Sequence, residues 1–305
     1  MEYEKYYLKL RNYIKRGYYR FHQPKKLFFP EIMSIELSTI CNAKCKFCPH
    51  SEILKRDSKR FLIMPENIFK KIINESMGHK ELKLIKPSLY GEPALTPHIF
   101  ERLRYIREKL PKVKIKLISN GSEMNSEKID IIFNENLCDE INFSLDADKK
   151  ETFEEFKNIS WDKVIANINY FIEKNNGLEK PIKIVLSFVC TPENKGQLGN
   201  FKKRWRGRVQ KFHIGSESGL LRRKNYINKR TSIYCSQIFD RINFLSDGRA
   251  VLCCLDPFGE VIVGNINNQT VSEIWNGPIL KKIRGFHLRG DKNMIPLCSK
   301  CDEWY

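Results

Sequence analysis

The sequence predicts an α/β protein: a partial (β/α)6 TIM-like barrel followed by a small C-terminal α+β domain. Three observations carry this expectation. Short apolar runs alternate six times with segments of helical apolar spacing between residues 32 and 214. Such alternation implies parallel strands joined by right-handed crossovers. After about residue 216 the pattern changes to closely spaced short strands, one helix and a cysteine-rich tail. Six units are too few to close an eight-stranded barrel, so the barrel is expected to be open, with its chemistry at the C-terminal ends of the strands.

The elements follow in order. Strands are expected at Ile32–Leu37, Leu82–Leu89, Lys114–Ser119, Glu140–Leu145, Ile182–Cys190 and Val209–Ile214. Helices are expected at Pro65–Met77, Pro97–Leu110, Ser126–Asn136, Trp161–Lys174 and Gln197–Arg206. Ile68-Phe69 with Ile72-Ile73, and Ile99-Phe100 with Leu103 and Ile106, recur at helical spacing. Pro65 and Pro97 suit helix starts, and Asn120-Gly121 closes the third strand with a loop. Further along, Asp240–Leu245 and Ala250–Cys254 read as a hairpin turning at Asp247-Gly248. Val261–Ile266 reads as another strand and Val271–Ile283 as a single helix. The expected organisation is a basic aromatic segment at 1–30, the barrel at 31–216 and the small domain at 217–305.

Composition narrows the function. Hydrophobic residues make up 41% and charged residues 30% of the 305, which excludes a disordered chain. No apolar run reaches the length of a membrane span, and the N-terminus lacks the apolar core of a signal peptide. A cytoplasmic, reducing location is expected, where ten cysteines read as metal ligands or free thiols. The net charge of +18 is concentrated. Residues 1–30 hold eight Lys/Arg against two Glu, and residues 198–230 hold eleven against one. These stretches suit an anionic partner, nucleic acid or a membrane surface, or else form a solvated basic face. For the aromatic residues among 1–30 the favoured reading is a segment that packs its aromatic face on its own barrel.

Three cysteines carry the chemistry: Cys41, Cys45 and Cys48, spaced C-x3-C-x2-C directly after the first strand. An iron–sulfur cube normally takes four protein ligands. The next cysteine, Cys138, is far down the chain. Three thiolates would leave one iron open to a small molecule, the arrangement of a reaction centre rather than of an electron carrier. Zinc is the competing ligand, but it favours four ligands and C-x2-C pairs. Phe47 lies between two of the cysteines, where it can shield a cluster.

The triplet, its place after the first strand and the later strand-end motifs resemble the radical S-adenosylmethionine (SAM) superfamily over roughly residues 32–215. The resemblance implies that the open iron chelates SAM. One electron then cleaves SAM to methionine and a 5′-deoxyadenosyl radical, which takes hydrogen from substrate. An electron donor such as flavodoxin or ferredoxin is implied as a partner. Tyr90-Gly91-Glu92-Pro93 is similar to the family's G-G-E-P motif, which holds the SAM amino group, with Tyr90 where a glycine is usual. Ser119-Asn120-Gly121 resembles T-N-G, and Ser144-Leu145-Asp146 resembles S-x-D. Ser144 is then the candidate for the SAM carboxylate and Asp146 for ribose or substrate. Val189 and Ile214 lie where the family packs adenine. Singly, these motifs also read as turns or helix caps.

The C-terminal pattern, with Cys235, Gly248, Cys253, Gly264-Asn265, Ser272–Trp275 and the pair Cys298 and Cys301, is similar to SPASM/twitch domains. The resemblance implies one auxiliary [4Fe–4S] cluster on Cys235, Cys253, Cys298 and Cys301. A zinc-ribbon-like structural site is the competing reading. Adjacent strand residues face opposite ways, so only one of Cys253 and Cys254 should ligate, and the spacing from Gly248 favours Cys253. Cys138 and Cys190 are expected to be ordinary buried thiols.

Members of these families include an aminocyclitol dehydrogenase and peptide or protein maturases. The favoured expectation is an oxidoreductase abstracting hydrogen from a small, anionic, sugar-like substrate, with the auxiliary cluster passing electrons. Lys202, Lys203, Arg204, Arg206, Arg208 and Lys211 motivate the anionic part. The alternatives are a peptide or protein maturase working by thioether formation, epimerisation or residue oxidation, and an RNA-binding or RNA-modifying iron–sulfur protein.

Overall fold

The computed structural model describes residues 24, 27–56, 62–216 and 234–301. Strand β1 (Ile32–Ile35) enters the cysteine loop, which is followed by helix α1 (His50–Arg56) and α2 (Glu66–Glu75). Then come β2 (Leu84–Lys86), α3 (Ile99–Lys109), β3 (Lys114–Ser119), α4 (Ser126–Asn134) and β4 (Glu140–Ser144). Helices α5 (Lys150–Lys157) and α6 (Trp161–Asn175) precede β5 (Lys183–Cys190), α7 (Leu198–Trp205) and β6 (Lys211–Ser216). The remainder holds α8 (Gln237–Asp240), β7 (Arg241–Phe244), β8 (Arg249–Val251) and β9 (Ile262–Asn265). Helices α9 (Val271–Trp275), α10 (Pro278–Arg289) and α11 (Pro296–Ser299) close the described chain.

Strands β1 to β6 pair in parallel and in chain order, as the alternation predicts. Alternate residues divide the sheet into two faces. Met33, Ile35, Ile85, Ile115, Leu117, Ile141, Phe143, Leu186 and Phe188 belong to the core beneath the helices. Phe143 meets Phe171 of α6 at 5.5 Å and Phe188 meets Phe201 of α7 at 5.0 Å, ring centroid to centroid. The opposite, concave face is polar. Registered across β7, β1, β2, β3 and β4 it carries Asn243, Ser34, Lys86, Lys116 and Glu140 in one row. Lys86 falls in this row opposite Lys116 because Ile85 pairs with Ile115 one residue before.

Three features differ from the sequence reading. First, β7 pairs in parallel with β1, and β8 and β9 extend the same sheet antiparallel, giving nine strands in the order β6-β5-β4-β3-β2-β1-β7-β8-β9. The C-terminal segment therefore continues the barrel sheet instead of standing beside it. Second, the expected helix Val271–Ile283 is two helices, because Gly277-Pro278 starts a new one. Pro278 at the first turn lacks the N–H that would continue α9. Third, α1, α5, α8 and α11 have no counterpart in the sequence reading. All four are short, and α5 starts without a side-chain cap.

The two parts interlock through polar contacts as well. The Glu36 carboxylate, fully buried, accepts from the Ser246 amide at 3.1 Å. Lys71 donates to the Ile266 carbonyl at 2.6 Å, and Glu75 accepts from the Val271 amide at 2.8 Å. Trp275 Nε1 donates to the Leu27 carbonyl at 3.0 Å. The basic aromatic segment 1–30 lies outside the described residues except for residues 24 and 27–30, as does the part of the basic stretch beyond residue 216.

Candidate active site and cluster sites

The cysteine loop is pinned from two sides. The amides of Lys44 and Lys46 donate to the carbonyls of Lys157 and Phe156 at the end of α5. Asn42 donates to Ser122 Oγ at 2.9 Å and accepts from Asn120 Nδ2 at 3.0 Å. Cys41, Cys45 and Cys48 lie near enough to act on one another's charge, and burial dominates their ionisation. It pushes the Cys41 thiol up to about 11 and the Cys48 thiol up to about 12. Thiols so placed stay protonated until cations neutralise them, so loading metal must release protons. Phe47 packs edge-on against Phe156 at 6.1 Å.

Lys157, absent from the sequence reading, is the charge at this site. Its Nζ lies 2.7 Å from Asp146 Oδ2, both side chains 2% exposed, and 4.0 Å from Cys45 Sγ. The ammonium sits over the Phe47 ring at 5.7 Å. Burial works against the charge, but Asp146 and Cys45 outweigh it and hold the ammonium above the usual lysine range. A lysine in a chain with 54 Lys/Arg carries no sequence signal of this kind.

The strand-end motifs gather around the loop. Gly91 is required: a Cβ there would sit 2.1 Å from the Ser38 carbonyl oxygen. Glu92 is buried and its carboxylate is turned inward, accepting from Ser119 Oγ at 2.7 Å and the Asn120 amide at 2.7 Å. It accepts from the Ala94 amide as well, so Glu92 organises the end of β3 with its carboxylate. Tyr90, the departure from the motif, donates its hydroxyl to the Cys254 carbonyl at 2.7 Å and ties this loop to the C-terminal segment. Asn120 accepts from the amide and hydroxyl of Ser122.

Asp146, the candidate for ribose or substrate, has both oxygens engaged within the chain: one on Lys157, the other accepting from the Val189 amide at 2.8 Å. Its backbone is left-handed at φ 62°, fixed in part by Asn194 donating to its carbonyl. Ser144 is half-buried on the concave face, 3.4 Å from Ser187 Oγ. Val189 follows Ser187 by two residues on that face. Ile214 does not share it. Phe212 packs on Phe201 of α7 at 5.7 Å, and Ile214, two residues on, packs with the same core. The β6 residue opposite Ser187 is His213, which therefore shares the concave face.

The second cysteine set lies at the other end of the sheet. Cys235 precedes β7 and Cys253 follows β8, both near the N-terminal end of β7. With Cys298 and Cys301 they line one pocket, partly open to solvent, together with Gln237, Leu252, Leu297 and His287. Cys254 is not part of that lining. Its Sγ faces Gln237 Oε1 at 3.5 Å, and Lys86 and Arg241 are its nearest cations. Among the described residues no three His, Cys, Asp or Glu side chains lie close enough to share one metal ion. A zinc ion draws thiolates in to about 2.3 Å. Four thiols spread around a cavity suit a cluster of several atoms better. Cys138 is buried and donates to the Glu140 carbonyl at 3.0 Å, an ordinary core thiol, and Cys190 is half-buried.

Comparison with known proteins agrees with this layout. The family model described as the radical SAM superfamily matches residues 35–198, and one described as an iron–sulfur cluster-binding domain (SPASM) matches residues 235–302. Among solved structures, BtrN in complex with AdoMet and 2-DOIA is 16% identical with a TM-score of 0.62, covering 92% of this chain and 98% of that one. SuiB of Streptococcus suis bound to the precursor peptide SuiA is 16% identical with a TM-score of 0.68, covering 97% and 74%. The structure of anSMEcpe with bound AdoMet and the Cp18Cys peptide is 14% identical with a TM-score of 0.64, covering 84% and 83%. A curated relative, the UPF0026 protein of Helicobacter pylori, is 28% identical over 130 residues, which is 41% of this chain and 42% of that protein. With a family model matching over half of its residues, the chain belongs to the radical SAM superfamily, with [4Fe–4S] clusters and S-adenosylmethionine as its cofactors and an iron–sulfur cluster-binding domain near its C-terminus.

Proposed function

We propose that this enzyme abstracts hydrogen from a small substrate held on the concave face of its sheet, as an oxidoreductase of dehydrogenase type. Cys41, Cys45 and Cys48 hold the cluster that meets SAM, and Cys235, Cys253, Cys298 and Cys301 hold an auxiliary one. Residues 31–216 form the reaction domain and 217–305 the auxiliary domain. When bound, the first cluster and SAM together supply a 5′-deoxyadenosyl radical as hydrogen acceptor.

The remaining roles belong to the chain's own side chains. Phe47 and Phe156 keep water from the thiol loop, and Lys157 places a fixed positive charge beside Cys45. Glu92 and Asp146 hold the ends of β3 and β4 rigid, so that Asn120, Ser144 and Val189 present a fixed surface to the cofactor. Backbone groups of Tyr90 and Gly91 are available to it, since the Tyr90 hydroxyl is engaged elsewhere. The single observation that carries the reading is placement: three thiols at the C-terminal strand ends, four at the opposite end, and a polar face between them.

A peptide maturase is the second reading, favoured by the similarity to SuiB and anSMEcpe, both with peptide bound. The test is anaerobic reconstitution of the full chain. Two [4Fe–4S] clusters give about eight irons per chain. Cys45→Ala should lower iron by about half and abolish formation of 5′-deoxyadenosine from SAM. Retention of that activity in a variant lacking all three of Cys41, Cys45 and Cys48 would sink the proposal. Deuterium transferred from a small metabolite fraction into 5′-deoxyadenosine would favour the first reading, and transfer from a peptide the second.

A further inference from the structure

We propose that the concave face between the two cysteine sets is built to bind a small molecule by a carboxylate or phosphate group, held by Lys86 with Lys116 and Arg241 beside it. The inference rests on the reading that substrate occupies this face, and it names the substrate's chemistry.

Among the described residues, the charges beside Lys86 are already engaged with other groups. Glu140 is shared, with Lys116 Nζ at 2.5 Å from one oxygen and Lys183 Nζ at 2.9 Å from the other. Arg241 Nε lies 3.0 Å from Asp240. Lys86, in the middle of the row, makes no hydrogen bond or ion pair among the described residues, although it is half-buried. Burial, Arg241 and Lys116 pull its ammonium down to about 8, against weaker support from Cys254 and Glu140. A cation so placed is stabilised by an anion that it does not have within the chain.

Uncharged groups on the same face are also left over. Asn142 Oδ1, Asn243 Nδ2 and Ser88 Oγ are buried with no hydrogen-bond partner, in residues 7%, 2% and 7% exposed. Asn243 belongs to the same registered row as Lys86, through Ser34. Asn142 lies two residues beyond Glu140 on its own strand, and Ser88 two residues beyond Lys86. Buried polar groups in native proteins find partners, so these orphans, two on the strands of this face and one just beyond the end of β2, together with the unpaired ammonium point to a ligand. An acceptor, a donor and a hydroxyl suit a substrate bearing hydroxyl or amino groups as well as the anion. Its charged end lies toward Cys254 and its other end toward Ser144, Ser187 and His213, nearer the thiol loop.

The test uses the reconstituted full chain and reductive methylation of lysines, followed residue by residue by mass spectrometry. Inorganic phosphate and acetate are the probes, because each carries one anion chemistry and little else to fit. Glucose is the uncharged control. The expected result is that one of the anions at millimolar concentration slows modification of Lys86 by about tenfold, with surface Lys174 unaffected and glucose without effect. Protection by phosphate alone assigns a phosphorylated substrate, and protection by acetate alone a carboxylate. In Lys86→Gln and, separately, Asn243→Ala, binding of the protecting anion measured by ligand-observed NMR should weaken by about tenfold for the first and less for the second. Equal modification of Lys86 with and without both anions overturns the proposal, as does undiminished binding to Lys86→Gln. SAM cleavage by the same samples separates the two readings. Cleavage without protection removes the anion site alone, whereas protection without cleavage removes the radical reaction and leaves the anion site.

Discussion

The Lys157–Asp146 pair shows how a single buried charge can be both structural and functional. Each side chain is 2% exposed, so neither charge has water to fall back on. Breaking such a pair from one side leaves the other charge buried and alone, at a cost of about 3–5 kcal/mol. Lys157→Met should therefore lower the unfolding free energy by about that amount, read by urea denaturation of the apo chain. Combining it with Asp146→Asn should recover a large part of the loss, because no uncompensated charge then remains. At this scale the sequence was readable where spacing encodes chemistry. The cysteine triplet shows in three positions, and glycine spacing with strand alternation distinguishes the surroundings of Cys253 from those of Cys254. It was not readable where a residue acts through a distant partner. Glu92 and Asp146 stand out in the sequence as members of motifs, but only their neighbours reveal that their carboxylates are turned inward onto Asn120, Ser119, Val189 and Lys157.

Elements were legible where apolar periodicity was long and local. Strand β3 falls on its expected bounds, and β4, β5 and α6 differ by about a residue at one end. The short helices α1 and α5 offer too few turns for a period to show, and α5 matters because its end carries Lys157. The break between α9 and α10 was visible in Gly277-Pro278, yet the apolar spacing on both sides runs through it. Helix α9 relies on its cap: Thr270 Oγ1 accepts from the Glu273 amide at 3.1 Å while the Glu273 carboxylate accepts from the Thr270 amide at 2.7 Å. Thr270→Ala should cost about 1 kcal/mol, measured as a shift in the urea midpoint with unchanged slope. Strand β2 gives a pH test. Lys86 is depressed to about 8, so in the ligand-free chain its amine becomes reactive as pH rises through 8. Exposed lysines titrate near 10.4. A methylation rate for Lys86 with its midpoint near pH 8, against later midpoints elsewhere, is the expected profile.

At the scale of the molecule, the parallel pairing of β1 with β7 could not be read from the chain. It joins residues some two hundred positions apart, and no local pattern encodes it. Its energetic effect is to place β1 between β2 and β7, hydrogen-bonded on both edges. Unfolding followed by far-ultraviolet circular dichroism and by the visible absorbance of the clusters should therefore coincide in one transition. Two resolved transitions would show that the C-terminal segment melts separately. The sequence's concentration of charge is partly absorbed by the fold. Arg204 pairs with Asp148 at 2.8 Å, and Arg208 stacks over Trp205 at 4.9 Å.

The pairing of β1 with β7 also acts as a ruler. Cys41 is reached from the C-terminal end of β1, whereas Cys235 and Cys253 flank the N-terminal end of β7, its hydrogen-bonded neighbour. Four residues of extended chain at about 3.3 Å each span roughly 13 Å. The separation of the two cysteine sets along the sheet is thereby set by the length of a strand rather than by a hinge. Lengthening both strands by one pleat would move the sets about 7 Å further apart. A rigid spacer of this kind holds the two ends of the molecule at one fixed reach from each other.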